Sequence, residues 1–194
     1  MYYKNGEERF GKLDSRVYAF FAATLFKGTY LTIARDIAQQ KARCILDVGG
    51  GTGDLIRVLA RTIGSARFYY VDPSEAMVRM ARKKFDNPDI KDRIKASLGD
   101  STHVPFNVKF DLIISSFSFH HWAKKEESLR YLLKKLNAKG KIILYERNKD
   151  EAHGIYSLGK DHFLSEKETG SLNLKGAKKR IRRLGSLLIV EIWK

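Results

Sequence analysis

The stretch Asp47-Val48-Gly49-Gly50-Gly51-Thr52-Gly53 places four glycines immediately behind a carboxylate. Glycine lets a chain turn sharply and lie directly against a ligand, because no Cβ stands in the way. The dinucleotide fingerprint G-x-G-x-x-G does not fit. Counted from Gly49 its third glycine falls on Asp54, and counted from Gly51 it falls on Ile56. No G-x-x-x-x-G-K-[ST] phosphate loop occurs anywhere in the chain. Two carboxylates, Asp47 and Asp54, flank the bend. Either would repel a pyrophosphate by about 1 kcal/mol or more, and either would attract a sulfonium or an α-ammonium group. The expected ligand is cationic and free of phosphate.

Three further groups have side chains suited to such a site. Asp72 follows Gly53 by 19 residues, where a carboxylate can accept hydrogen bonds from both hydroxyls of a ribose. The competing reading has Asp72 starting a turn with Pro73 and helping to cap a helix at Ser74. In Gly99-Asp100-Ser101 an Asp can accept from an adenine amino group while a backbone N–H reads the ring, although a plain Gly-Asp turn has the same appearance. Phe117-Ser118-Phe119-His120-His121-Trp122 offers a histidine pair between aromatic neighbours. One imidazole can act as general base or bind an acceptor; both can instead merely cap and pack a loop. The Asn/Asp-Pro-Pro-Tyr signature of amino-group nucleic-acid methylation is absent, since Ser115-Ser116-Phe117-Ser118 stands in its place.

The elements around these groups alternate. Apolar spacing predicts helices over 14–26 and 29–40, with Gly28 as the break. Cys44 to Val48 reads as a strand leading into the glycine bend, and Leu55, Val58, Leu59 and Ile63 mark the following helix. Arg67 to Val71 is a second strand. Ser74 caps a helix carrying Met77, Met80, Ala81 and Phe85. Strands over Ile94–Leu98, Phe110–Ser115 and Lys141–Tyr145 follow, with a leucine-striped helix (Leu129, Leu132, Leu133, Leu136) before the last of these, ending around Asn137 to Gly140. Strands that alternate with single helices argue for a parallel sheet covered on both faces. The C-terminus departs from that rhythm. A helix is expected from about Ser165 to Leu174, stopping by Gly176. Lys178–Leu184 and Ser186–Trp193 then lie too close together for a crossover helix, so an antiparallel hairpin is expected.

In that order and spacing, LDVGGGTGDL, VDPSEAMVRMARKK, LGDSTHVPF, FDLIISSFSFHHW and LNAKGKIILYE resemble a class I methyltransferase dependent on S-adenosylmethionine, nearest in style to the UbiE-like, methyltransferase type 11 group. The similarity spans about residues 44–146, and LGSLLIVEIWK resembles that fold's last hairpin. The resemblance implies an α/β, Rossmann-like class I methyltransferase fold: a mostly parallel seven-stranded sheet with helices on both faces and a C-terminal antiparallel hairpin. It implies one domain over 1–194, with residues 1–40 as N-terminal lid helices and 41–194 as the cofactor-binding core. It implies S-adenosylmethionine as cofactor and S-adenosylhomocysteine as product. Asp47 would orient the methionine end; Gly49, Gly50 and Gly51 would let it approach. Asp72, with Pro73 beside it, would hold the ribose, and Met77 would pack on adenine. Gly99, Asp100 and Ser101 would meet the adenine edge, and Ser115 and Ser116 would line the end of the fourth strand. Tyr18 would cover the cofactor, and His120 and His121 are the candidate catalytic groups. No metal site is implied.

Composition bounds what remains. A chain of 194 residues suits one domain with a substantial core. No apolar run approaches the roughly 18 residues of a membrane span, and MYYKNGEERFGKLDS lacks a signal's apolar stretch, so a cytoplasmic location is expected. Cys44 is the only cysteine; its strand pattern reads as a small buried hydrophobe. The net charge of +15 makes nucleic acid a possible partner, with Lys178 to Arg183 as the densest cluster, though most basic residues lie scattered on helix faces. The segment 147–164 is short for an acceptor cover, leaving the N-terminal helices, with His153, Tyr156 and His162, to form the lid. The leading expectation is a methyltransferase with an unidentified acceptor, a small molecule being favoured over RNA or protein. A non-catalytic cofactor- or nucleic-acid-binding module and a nicotinamide-dependent oxidoreductase are the competing classes. Oligomeric state is not legible in the chain.

Overall fold

The computed structural model describes residues 2–4, 7–9, 27–149 and 163–194. Two short strands, β1 (Tyr2–Lys4) and β2 (Glu7–Arg9), pair antiparallel. The main body follows as α1 (Lys27–Ala38), β3 (Cys44–Val48), α2 (Asp54–Thr62), β4 (Arg67–Asp72), α3 (Glu75–Phe85), β5 (Ile94–Leu98), β6 (Phe110–Ser116), α4 (Lys125–Lys135), β7 (Leu136–Arg147), α5 (Glu166–Gly170), β8 (Lys178–Leu184) and β9 (Leu187–Trp193). The expected helix over 14–26, and Tyr18 within it, lie outside the described residues, as do His153, Tyr156 and His162.

Seven strands form one sheet in the order β5-β4-β3-β6-β7-β9-β8. Pairings from β5 across to β7 are parallel, while β9 runs antiparallel to both β7 and β8. Side chains alternate between the two faces. Ile45, Phe68, Ile114 and Ile143 join Ile33, Leu59 and Val78 of α1–α3 in one core layer. Leu46, Val71, Ile113 and Leu144 join Leu129, Leu132 and Leu133 of α4 in the other. Because both faces are covered, β3 and β4 read as continuous apolar runs instead of alternating ones. The sheet grows one way through β4 and β5 and the other way through β6 and β7. The carboxyl ends of β3 and β6 therefore flank the switch point, where open α/β sheets bind ligands.

Gly28, expected as the break between two helices, is helical at the start of the described part of α1, and the residues just before Lys27 lie outside the described ones. Two boundaries differ from the sequence expectation. Asn137 to Gly140 belong to β7, which pairs Phe110 with Leu136 and then Leu112 with Lys141 across a register shift. The helix expected to reach Leu174 ends at Gly170. A capping box between Ser165 and Glu168 starts it, but Lys179 Nζ closes its C-terminus by donating to the carbonyls of Thr169, Gly170 and Leu172. Leu172 and Leu174 then pack on the core as extended chain.

Candidate active site

The glycine bend sits at the carboxyl end of β3 and opens into a cleft with Asp72, Pro73 and Met77 on one side. Ser116, Phe117, Ser118, His121 and Trp122 form the other side, and Tyr30 of α1 reaches the rim. Gly49 adopts φ +71°, and a Cβ there would sit 2.0 Å from Ser118 Oγ. At Gly50 a Cβ would meet the Tyr70 ring at 2.6 Å and Asp47 Oδ2 at 2.7 Å. Backbone therefore replaces side chain where the loop closes over the strand ends, and the loop's Gly51 faces open space. The bend is anchored from beneath: Gly49 N–H donates to Val71 O at 2.9 Å, and the Tyr70 hydroxyl donates to Gly51 O.

Asp47 is wholly buried directly under this bend, and neither carboxylate oxygen has a hydrogen-bond partner. Burial away from water, reinforced by the neighbouring Asp72 charge, pushes its carboxyl up to about 8. The same two carboxylates and burial hold the Tyr70 hydroxyl well above its ordinary value. Ser115 Oγ, at the end of the adjacent β6, is also buried without a partner, and Asp47 pairs in register with Ile114 beside it. An unmet buried polar group costs about 1–3 kcal/mol, so two at one strand switch point mark a place where a ligand supplies the missing donor. These orphaned oxygens beneath a Cβ-free bend fit the ammonium and methionine end of S-adenosylmethionine, with no room required for phosphate.

Asp72 takes the turn-closing role that the sequence offered as one of two alternatives. Its Oδ2 accepts from Gly51 N–H and its Oδ1 from Ser74 N–H, each at 2.9 Å, while Ser74 Oγ caps α3 by accepting from Met77 N–H. These bonds orient Asp72 in the cleft wall.

Asp54 departs from expectation. Thr52 Oγ donates to its Oδ2 at 2.6 Å, Lys84 Nζ pairs with the same oxygen at 2.6 Å, and Arg57 lies 3.6 Å from Oδ1. Its carboxylate is thus engaged by Thr52, Lys84 and Arg57, whereas Asp47 under the bend has no partner. Asp100 and Ser101 are not in the cleft wall. Asp100 Oδ1 accepts from Thr102 N–H, Thr102 Oγ and His103 N–H, closing a turn after Gly99, and Ser101 Oγ bonds Ser128 Oγ at 2.8 Å.

The histidine pair divides. His121 faces the cleft; His120 turns inward, its Nδ1 2.9 Å from Glu146 Oε2. The two rings lie 4.0 Å apart between centroids. Phe117, the first residue beyond β6, holds φ +53°, a conformation that costs a non-glycine residue about 1 kcal/mol or more. Its ring stands 6.3 Å from that of Tyr30, closing an aromatic wall. Sequence reading missed Tyr30, Ser118 and Glu146. The helical stripe Tyr30-Ile33-Ala34-Ile37 was the available signal for the first; nothing local distinguishes Glu146 from other strand-end acids. Cys44 is half-buried, and its thiol is pushed up by desolvation.

The basic cluster over 178–183 is largely committed within the molecule. Arg180 and Arg182 pair with Glu191 at 2.9 and 2.8 Å, Arg182 also with Asp36 at 2.6 Å, and Arg183 with Glu166 at 2.7 Å. No helix among the described residues is long and apolar enough to cross a membrane.

Comparison with known proteins agrees with this geometry. Residues 45–140 match the model of a methyltransferase domain family. A ubiquinone/menaquinone biosynthesis C-methyltransferase, UbiE, of Ralstonia pickettii (strain 12J) is 28% identical over 133 residues, 65% of this chain and 54% of that protein. The chain thus spans about half the length of the curated relatives it matches. The plantazolicin methyltransferase BpumL, solved with S-adenosylhomocysteine, superposes with a TM-score of 0.75 at 15% identity, covering 93% of this chain and 90% of that one. The O-methyltransferase NcsB1 from neocarzinostatin biosynthesis, solved with S-adenosylhomocysteine and 1,4-dihydroxy-2-naphthoic acid, gives 0.79 at 19% identity over 94% and 58%. The Rossmann-like class I fold expected from the motifs is the fold observed.

Proposed function

We propose that the chain transfers the methyl group of S-adenosylmethionine to a small-molecule acceptor, a reading supported by the match of residues 45–140 to a methyltransferase domain family and by the class I methyltransferase fold. The observation that carries this reading is the partnerless Asp47 carboxylate beneath the glycine bend. It asks for a cation. A nicotinamide dinucleotide would instead bring a pyrophosphate to a bend already holding two acids. The cofactor supplies a methyl on a sulfonium, a leaving group that needs no further activation. Asp47 receives the α-ammonium, with Ser115 and Ser116 at the adjoining strand end. Asp72 accepts from the ribose hydroxyls, and Pro73 and Met77 cover the adenine. In this reading the backbone of the Gly99 turn, and not the bonded Asp100 Oδ1, meets the adenine edge.

The remaining residues align the acceptor and exclude water, which supplies most of the rate in such a displacement. Phe117, Trp122 and Tyr30 form an apolar wall, and the buried Trp122 indole N–H lacks a partner, offering a donor to an acceptor oxygen. His121 faces the cleft to take a proton when the acceptor is a hydroxyl. The small-molecule class is supported by the relatives named above, a quinone-biosynthesis C-methyltransferase and an O-methyltransferase bound to a naphthoic acid. An RNA-directed role draws less support, because Arg180, Arg182 and Arg183 are paired with acids of this chain. Isothermal calorimetry with S-adenosylmethionine and S-adenosylhomocysteine tests the cofactor; absence of heat with both would sink the proposal. A labelled-methyl survey over small-molecule, RNA, protein and lipid fractions tests the acceptor, with label expected in the first.

A further inference from the structure

We propose that Glu146 is a positioning residue for proton removal, holding His120 as its Nδ1–H tautomer behind the cleft-facing His121; the inference rests on reading the cleft as a methyl-transfer site. Glu146 stands near the carboxyl end of β7 and is 1% exposed. Its Oε1 accepts from Phe119 N–H at 2.7 Å and from His120 N–H at 3.4 Å, and its Oε2 lies 2.9 Å from His120 Nδ1. With Glu146 accepting, His120 Nδ1 carries the proton of that bond. One side chain thereby fixes the short helical turn Phe119–His121 and the tautomer of the imidazole within it.

A purely structural role would not need the charge. Closing the turn requires a neutral acceptor for Phe119 N–H, whereas removing a carboxylate from water costs several kcal/mol. A carboxylate behind two imidazoles whose rings meet at 48° has a use when one of them becomes a cation. In the balanced step the acceptor's X–H proton passes to an imidazole nitrogen, and the X–H electron pair forms the new bond to the methyl carbon. The C–S pair returns to sulfur, so the sulfonium charge is replaced by an imidazolium charge that Glu146 stabilises. Lys125, the first residue of α4, donates from Nζ to the carbonyls of His120 and Trp122 at 3.2 and 3.0 Å, and the Glu146 and Glu168 carboxylates also act on its ammonium.

The test is a long-range proton–nitrogen spectrum of the full chain labelled with ¹⁵N-histidine, with His120 and His121 assigned by His→Asn variants. Wild type should show His120 protonated at Nδ1 and bare at Nε2. In Glu146→Gln the amide oxygen still serves Phe119 N–H, but the amide N–H₂ faces Nδ1. The proton should then move to Nε2, exchanging the two nitrogen shifts, a change that loss of stability alone does not produce. S-adenosylhomocysteine, its binding verified by calorimetry, should move the His121 ring resonances. An Nε2–H His120 in wild type, or a folded Glu146→Gln with an unchanged tautomer, would overturn the proposal; so would bound S-adenosylhomocysteine that moves neither ring. Should Glu146→Gln not fold, the wild-type tautomer alone decides. Failure to bind S-adenosylhomocysteine would instead remove the cofactor reading, with the tautomer result still standing.

Discussion

Two groups of acids, each including a buried carboxylate, lie on opposite sides of the sheet's centre and are treated in opposite ways. Beneath the glycine bend, Asp47 has no partner and its carboxyl is driven up toward the neutral form. At the junction of α1, β7 and the C-terminal hairpin, Asp36 accepts from the Tyr145 hydroxyl at 2.7 Å and from Arg182 at 2.6 Å. There Glu191 is met by Arg180, Arg182 and Lys141, and those cations hold its carboxyl below the usual range against the cost of burial. The same acids therefore do different work. Fully partnered, they fasten α1 to the hairpin; left unpartnered, Asp47 stores a deficit that a cationic ligand can relieve. Burial alone does not identify a functional carboxylate, but burial without a donor does.

The comparison breaks most readily at Asp47. Replacement by Asn should weaken S-adenosylmethionine binding about 100-fold or more, by loss of a charge-assisted bond in a dry site, while the unliganded protein melts no lower than wild type. Calorimetry and thermal scans read the two effects, and a large loss of stability would contradict the contrast. The sign of the pH effect follows from the raised carboxyl. Folded Asp47 holds its proton to about pH 8 and the unfolded residue only to about 4. Its stabilising contribution is therefore complete below about pH 4 and is lost as pH rises toward about 8. Wild type should fall progressively behind Asp47→Asn in melting temperature across that window. Cofactor binding at pH 7 should release protons, visible as a dependence of the binding heat on buffer ionisation.

At the partnered junction the expectation reverses. Glu191→Ala should cost about 3 kcal/mol of stability by stranding its cations, measured by denaturant unfolding, with cofactor affinity nearly unchanged in the surviving folded protein. Asp72 belongs to both categories, since it orients the bend and faces the cleft. Its replacement by Ala should weaken cofactor binding by about 1.5–3 kcal/mol and also lower the melting point. An unchanged affinity would remove it from the ribose site. The smallest effect is expected at the exposed Arg183–Glu166 pair, where Glu166→Ala should change stability by less than about 1 kcal/mol. A larger loss there would mean that the hairpin cluster behaves as one network.

The glycine bend between strand and helix, the mostly parallel sheet and the closing hairpin were legible because each rests on local chemistry. A strand followed by glycines and a helix can fold in few ways, and two extended runs separated by two residues must pair antiparallel. Asp54 was misread because spacing gives its distance from the bend but not Lys84, which comes from α3 thirty residues later. The end of α5 was misplaced for a similar reason, its terminal carbonyls being met by Lys179 from β8.

What the chain's own residue order determined, then, is the class of fold, the Cβ-free bend and the sign of the charge beneath it, all set by neighbours within a few positions. Tertiary structure alone decided which acids keep an unmet demand. Whether a buried carboxylate finds a donor depends on side chains brought in from distant elements: Arg182 for Asp36, Lys84 for Asp54, His120 for Glu146, and none for Asp47.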